Sequence, residues 1–477
     1  MSDSSPEQTR KPLKFPTAFT ILFGLIIVVA ALTWIVPAGQ YQRETNAALD
    51  REVPVAGTYA VTDPNPQGIA DVLMAPIAGL YDPATGQANA IDVAVFVLVI
   101  GGFIGVIAAS GAINAGIGGA MVALKGREKW LIPVLMAVFA FGGTTYGMAE
   151  ETLAFYPLLI PIMLAARYDA VTAVAIILLG AGVGVLGSTV NAFATVIASD
   201  AAGVPFTRGM TLRLVILGLC WLATVIYVMR YAEKVRQDPT KSLVHDMKAT
   251  NEAHFLAEHQ GEKAEFTLTH KIVLTVFGLT FVVMIWGVLA GGWWMGEMSA
   301  LFLASAILVG FIVRPGEKEF VDSFVNGARD LLGVALIIGL ARGIVVVMDA
   351  GHITDTILHW AEVSVGGLGK VAFINVMYWL QVAMSFFVPS SSGLAVLSMP
   401  IMAPVADFAG VGRDLVVTAY QSANGLVNLI NPTFAVVMGA LAIGRVPYER
   451  WLRFVWPLLV ILTIIIAACL SIATLIA

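Results

Sequence analysis

Glu150 and Glu151 are adjacent carboxylates in a stretch, 130–166, that carries no other charge. A carboxylate at membrane depth costs about 2.5–3.5 kcal/mol on insertion scales. Compensating a helix N-terminus returns only roughly 0.3–1 kcal/mol per residue. Unless water reaches them, capping alone does not account for the pair. They can instead hold the cationic end of a ligand, or take up a proton. Neutral polar groups recur in the same kind of apolar setting: Thr144 and Thr145 before the acids, Ser390, Ser391 and Ser392 between Pro389 and Gly393, and Asn191, Asn431 and Thr433 in two further segments. Hydroxyls and amides of this type orient a zwitterion or ligate sodium without burying a charge of their own. Ser188, Thr189 and Asn428 are candidates for an ion-coupling role. Asn191 and Asn431 are expected to lie nearest the ligand as an equivalent pair. The plainer alternative is that these residues only satisfy backbone groups freed by helix breaks. Arg342, the one basic residue within a span, can pair with a substrate carboxylate or with a buried acid, but beside Gly339 and Gly343 it is read rather as snorkelling or holding a domain contact.

The elements that must position these residues follow from composition. Of 477 residues, 58% are hydrophobic and only 12% charged, against about 25% charged in a soluble domain. The chain is therefore read as an all-α polytopic membrane protein. Apolar runs of about 20 residues, enough to cross the hydrocarbon, fall near 17–38, 90–110, 170–199, 211–231, 271–291, 297–313, 331–348, 414–444 and 451–476. Two longer stretches, 130–166 and 371–408, are interrupted by Gly142-Gly143-Thr144-Thr145-Tyr146-Gly147 and by Pro389-Ser390-Ser391-Ser392-Gly393. Both read as re-entrant hairpins, because non-helical backbone at membrane depth survives only where it lines a cavity or is buried in protein. The segments 170–199 and 414–444 read as broken helices, interrupted at Ser188–Asn191 and at Asn428–Thr433, the second enforced by Pro432. Ile69–Leu80 and Glu319–Ala328 read as horizontal amphipathic helices.

With the N-terminus inside, every Lys and Arg falls on the cytoplasmic side except Arg43, Arg51, Arg208, Arg213, Lys370 and Arg413 outside and Arg342 within a span. That bias is the positive-inside pattern, and it weakens if either hairpin is made a full crossing. The organisation expected is a cytoplasmic tail over 1–16, a first repeat over 17–231, a cytoplasmic linker over 232–270, a linking span over 271–291 and a second repeat over 297–477. A multi-pass protein of the cell (inner) membrane is expected. A net charge of −5 without a basic patch argues against nucleic acid as a partner. The histidines and two cysteines match no metal pattern, so neither metal nor cofactor is expected. An intramembrane enzyme would need a nucleophile and base at depth; position 390 is Ser where Gly-x-Ser-Gly needs Gly, and no histidine lies within a span.

The halves echo each other. Ile104–Ile113 resembles Arg342–Ile353, Gly147-Met148-Ala149 resembles Gly393-Leu394-Ala395, Pro157 and Pro161 recur as Pro400 and Pro404, and Asn191 recurs as Asn431. In the charge-derived layout the two hairpins enter from opposite faces, so the repeats are inverted. Inverted repeats with hairpins and broken helices meeting near the midplane characterise secondary transporters. The expected partners are thus a small organic solute and the lipid bilayer.

The run Gly142-Gly143-Thr144-Thr145-Tyr146-Gly147-Met148-Ala149-Glu150-Glu151-Thr152, the Phe155-Tyr156-Pro157 after it and Ile35-Val36-Pro37-Ala38-Gly39 resemble the YfcC-like branch of the C4-dicarboxylate anaerobic carrier family. The resemblance implies an elevator-type transporter of the ion-transporter superfamily, a homodimer whose hairpins and broken helices form the mobile domain. It also implies either of two substrates. Members of this branch are described as arginine/ornithine or basic amino acid antiporters, while the wider family name refers to dicarboxylates. Exchange of a basic amino acid and sodium- or proton-coupled carboxylate transport both remain open, with Glu150 and Glu151 favouring the first.

Overall fold

The computed structural model describes residues 18–46, 51–112, 115, 127–145, 147–256, 267–291, 293, 295–364 and 368–476. The expected tail over 1–16 and part of the linker lie outside these residues. Long apolar runs give long helices, since a backbone removed from water must bond within its own segment. Six described helices are long and apolar enough to cross a membrane: Ile91–Ala109, Met210–Gln237, Met295–Val313, Leu332–Ala350, Lys370–Phe387 and Tyr448–Ile476. The chain is a multi-pass membrane protein.

Both interrupted stretches fold as helix, break and helix. The first runs Leu131–Thr145, then a 3-10 turn Glu150–Phe155, then Tyr156–Ala165; the second runs Lys370–Phe387, then Ser391–Phe408. The first break comes later than the glycines suggest. Gly142 and Gly143 stay helical: Gly143 lets this arm press on helix Ala170–Leu186, where its Cβ would strike Ala181 O, and Gly142 lies against the Met148 side chain. The two broken helices are Ala170–Leu186 followed by Ile197–Ala202, and Arg413–Val427 followed by Ala435–Ile443. Their first halves are buried almost along their whole length. Arg413–Val427 is buried although it carries Thr418, Gln421, Ser422 and Asn424, so its polar groups face protein and not lipid.

Contacts between the halves are reciprocal. The short helix Ile69–Ala78 of the first half crosses Leu332–Ala350 of the second, where a Cβ on Gly343 would lie 2.5 Å from Ala75 O. The short helix Glu317–Asp330 of the second half crosses Ile91–Ala109 of the first, where a Cβ on Gly101 would lie 2.5 Å from Gly327 O. The first halves of the broken helices cross in the same manner: the face of Gly182 is covered by Leu429, and that of Gly425 by Leu186. Exchange in which each half gives the other what it receives is what a two-fold relation requires. The reciprocal contacts are of the kind the sequence echo predicts.

Outside the helical body, strand Gly39–Gln40 pairs antiparallel with Ala60–Val61, and Arg43–Asn46 with Arg51–Pro54. This small ribbon, in a polar loop that hydropathy leaves unstructured, is tied to the turn before helix Thr354–Ser364 by Gly39 N to His352 O (2.9 Å) and to the helix itself by Arg43 to both Asp355 carboxylate oxygens (3.1 Å each). At the opposite end of the sequence layout, Asp169 caps helix Ala170–Leu186 by accepting from Thr172 N (2.9 Å), and also accepts from Tyr231 and Ser242 hydroxyls (2.6 Å each), which pins the linker to the first half.

Candidate functional site

Each helix break is held by an amide that reaches the end of the first helix of an interrupted stretch, 130–166 or 371–408. Asn191 donates through Nδ2 to Gly143 O (3.4 Å), and its Oδ1 accepts from Ala194 N (3.2 Å). Asn431 donates to Ser385 O (3.0 Å), and its Oδ1 accepts from Thr433 N (3.1 Å). These bonds satisfy carbonyls that the ends of helices Leu131–Thr145 and Lys370–Phe387 leave open. Hydroxyls complete each junction: Thr144 Oγ1 lies 3.1 Å from Thr189 Oγ1, and Thr433 Oγ1 donates to Phe386 O at 2.8 Å. Thr145 turns its hydroxyl back onto Phe141 O, 2.6 Å away. Ser188 Oγ lies 2.6 Å from Thr195 Oγ1, which donates to Gln421 Oε1 at 2.6 Å, while Gln421 Nε2 donates to Ser188 O at 2.8 Å. Gln421 thus fastens the second broken helix to the break in the first.

Where these junctions meet there is a cavity of about 220 Å³. One wall is built from both hairpin tips and both breaks: Gly147–Thr152, Asn191, Pro389–Ser392, Asn428 and Thr433. The rest comes from the crossing helices, including Gly182, Asn424 and Gly425, from Ala90 and Val93, and from Ile338, Ala341, Arg342 and Val345 of one spanning helix. The cavity therefore lies between the hairpin-and-break elements and the spans that carry the reciprocal crossings.

Of the residues singled out by sequence, Glu150, Glu151, Asn191, Ser390, Ser391, Ser392, Asn428 and Thr433 line this cavity. Thr144, Thr145, Ser188, Thr189 and Asn431 do not; they sit behind it, in the junctions just described. In the second break the cavity side is taken by Asn428, whose Nδ2 donates to Pro389 O (2.9 Å), and by Asn424 one turn earlier. The expected Asn191–Asn431 equivalence therefore holds in bonding and not in exposure to the cavity.

The tips differ in charge. At the first, Glu151 is 5% exposed and its carboxylate accepts from Ala149 N, two residues earlier, at 3.0 Å, while Glu150 beside it borders the cavity. At the second, Ser390 caps helix Ser391–Phe408 by accepting from Gly393 N (3.2 Å), so the N-terminus of an 18-residue helix opens onto the cavity. That end favours an anion. Arg342 is exposed to the cavity and makes no hydrogen bond or ion pair with the described residues. Sequence reasoning gave it a structural role; the signal that points the other way is its place on one helical face with Ile338, Ala341 and Val345, spaced i, i+3, i+4 and i+7. Among the described residues no cluster of His, Cys, Asp and Glu could hold a metal ion.

Comparisons with known proteins agree on a family. The model of the C4-dicarboxylate anaerobic carrier family, DcuC, matches residues 15–475. A Haemophilus influenzae protein of uncharacterised function is 36% identical over 491 residues, covering 94% of this chain and 95% of that protein. An Escherichia coli K12 protein, named "Putative basic amino acid antiporter YfcC", is 30% identical over 490 residues, covering 95% of each. Among solved structures, Neisseria gonorrhoeae MtrF, of a class of antimetabolite efflux pumps, aligns over 96% of this chain and 95% of its own at 16% identity and a TM-score of 0.40. The Alcanivorax borkumensis YdaH transporter aligns over 96% and 98% at 13% identity and a TM-score of 0.38. The last two likenesses are too loose to carry an argument. The match of nearly the whole chain to one carrier model, together with two relatives at 30% identity or more, shows that this chain is a membrane transporter belonging to the DcuC family.

Proposed function

We propose that the protein exchanges amino acids with a cationic side chain, such as arginine and ornithine, across the cell (inner) membrane. The observation that carries this reading is that one cavity holds charges of both signs on different elements. Glu150 and Glu151 lie at the first tip, and Arg342 and the N-terminus of helix Ser391–Phe408 lie elsewhere on its lining. A zwitterion with an added positive charge is matched at both ends: its α-carboxylate meets Arg342 and the Ser390–Ser392 helix end, and its side-chain cation meets the acidic pair. Asn191, Asn424 and Asn428 supply neutral hydrogen bonds between the two. The name of the Escherichia coli relative, a putative basic amino acid antiporter, agrees with this chemistry.

Transport then requires the cavity to face each side in turn. In this reading the two hairpins and two broken helices move together against the spans Ile91–Ala109 and Leu332–Ala350, as an elevator in a homodimer with the N-terminus cytoplasmic. The dense bonding among the four pieces supports their moving as a unit.

A second reading is a sodium- or proton-coupled carrier of C4-dicarboxylates. Arg342 and the helix end at Ser391 are two anion-binding elements in one cavity, and the family description names dicarboxylates. Ser188 Oγ and Gln421 Oε1, each 2.6 Å from Thr195 Oγ1, would then mark the place to seek a sodium ion. Uptake by reconstituted vesicles separates the readings. Labelled arginine and labelled succinate are offered to vesicles preloaded with ornithine, malate or nothing, with and without a sodium gradient. Ornithine-stimulated arginine uptake is expected; sodium-driven succinate uptake indifferent to ornithine would replace the first reading by the second.

A further inference from the structure

The central cavity does not end at Arg342. A second chamber of about 450 Å³ shares Arg342, Val345 and Ser390 with it, and continues along the same helical face to Asp349 and then to His352. Gln40, Arg43, Thr354 and Asp355 close its far side, so it opens beneath the ribbon that follows the first helix. Most of its polar groups are already engaged. Arg43 is bound to both oxygens of Asp355, and Gln40 Nε2 lies 2.6 Å from His352 Nδ1. Two opposite charges are left to a ligand. Among the described residues Arg342 has no hydrogen bond or ion pair, and the Asp349 carboxylate accepts only from the Thr354 hydroxyl, 2.7 Å from Oδ1, with the charges of Arg342 and Arg43 acting on it at longer range.

Arg342 and Asp349 are seven residues apart on one helix, about 10 Å along its axis. Side chains on a helix lean toward its N-terminus, so Arg342 leans toward the central cavity and Asp349 toward Arg342. A carboxylate bound to Arg342 can therefore stay in place while the positive group of the same molecule lies first against Asp349 and then against Glu150 and Glu151.

We propose that the outer chamber is a staging subsite for a zwitterionic or cationic amino acid, with Asp349 as its cation receptor and Arg342 as the carboxylate receptor common to both subsites. The inference rests on the amino acid reading above. Entry becomes a pivot about Arg342, in which the cationic end is handed from one acid to another and never crosses the intervening apolar wall unpaired. In this reading the chamber opens on the ribbon's side of the membrane, so its effect on affinity belongs to that side.

The test uses full-length protein in right-side-out and inside-out vesicles, with labelled arginine as the probe. In one orientation Asp349→Asn raises the KM for arginine about tenfold, the scale of one lost charge-assisted contact, while the KM in the other orientation stays as in the wild type. Asp349→Glu keeps the KM within about twofold in both. If Asp349→Asn does not fold, Thr354→Val serves instead: it removes only the hydroxyl that orients the carboxylate, and raises the KM in the same single orientation by a smaller factor. A KM unchanged in both orientations overturns the staging subsite and leaves the proposed function standing. An equal rise in both overturns it as well, because a residue that merely supports the fold acts from either side. No arginine uptake by the wild-type protein overturns the proposed function and this inference together.

Discussion

The tips of the two interrupted stretches, 130–166 and 371–408, are held alike and carry different charge. Both are held by an asparagine from a helix break reaching the carbonyl end of the entering arm, Asn191 to Gly143 and Asn431 to Ser385. The first then presents two carboxylates, the second three hydroxyls and a capped helix end. Equivalent scaffolding with unequal charge separates what the fold needs from what the ligand needs. The asparagines and the crossing glycines belong to both halves, while the acids belong to one. On the proposed reading, a cavity of this kind distinguishes the two ends of its ligand.

The scaffold side of the comparison gives the largest expected effect. A Cβ on Gly425 would overlap the backbone of Leu186, whereas one on Gly182 would meet only the tip of the Leu429 side chain. Backbone cannot swing aside, so Gly425→Ala is expected to cost about 3 kcal/mol, the upper end for overpacking, and Gly182→Ala about 1 kcal/mol. Thermal unfolding in detergent, followed by size-exclusion chromatography, measures both. Equal losses would mean that the crossing is not the close one described.

Next comes the charge. Glu150→Gln with Glu151→Gln is expected to raise the KM for arginine about thirtyfold, near 2 kcal/mol, with the folded yield unchanged. Uptake unaltered by either substitution would assign the acids to capping the 3-10 turn. At the second tip, Ser390→Ala removes the cap of helix Ser391–Phe408 and is expected to cost about 1 kcal/mol of stability, with a severalfold loss of uptake for every substrate alike. If that loss fell on one substrate only, the serine would be a discriminating contact.

The smallest effect lies away from both tips, at the linker. Arg450 donates to both oxygens of Asp246, one at 2.9 Å, and holds that carboxyl below its usual range. A carboxyl whose folded pKa is lowered contributes stability above its unfolded pKa and loses it as pH falls through the folded value. Asp246→Asn is therefore expected to cost roughly 0.2–1 kcal/mol near neutral pH, as exposed pairs do, and nothing once the wild-type carboxyl is protonated in strong acid. Unfolding curves across acid pH follow the difference.

Much of this architecture is legible in the sequence. Hydropathy places five of the six span-length helices, while the sixth, Lys370–Phe387, is long enough to cross although it falls in the stretch 371–408 read as a re-entrant hairpin. The interruptions at Pro389–Gly393 and at Pro432 place a tip and a break, because proline and clustered small polar residues act locally. The helices Ile69–Ala78 and Glu317–Asp330 are legible from their amphipathic pattern, and the first tip from its stranded acids. Distance along the chain hides the rest. Which asparagine of Asn424, Asn428 and Asn431 faces the cavity depends on how the second broken helix rotates against the first, a contact set by Gly425 and Leu186. Arg342 reads as a snorkelling cation until the helix face it shares with Ile338 and Val345 is seen to border the cavity. Ala90 and Val93 join the lining because the short helix before them crosses a span of the other half, which no local pattern announces.

Arginine and citrulline differ at one end only, by a guanidinium against a neutral urea of nearly the same shape. Calorimetric titration of both into the purified protein, wild type and Glu150→Gln with Glu151→Gln, is the most direct test of a cavity that reads its ligand's two ends separately. The expected result is a clear preference of the wild type for arginine that the double substitution abolishes while citrulline binds both proteins alike. A preference that survives the substitution, or a wild type that does not distinguish the two ligands, would contradict it.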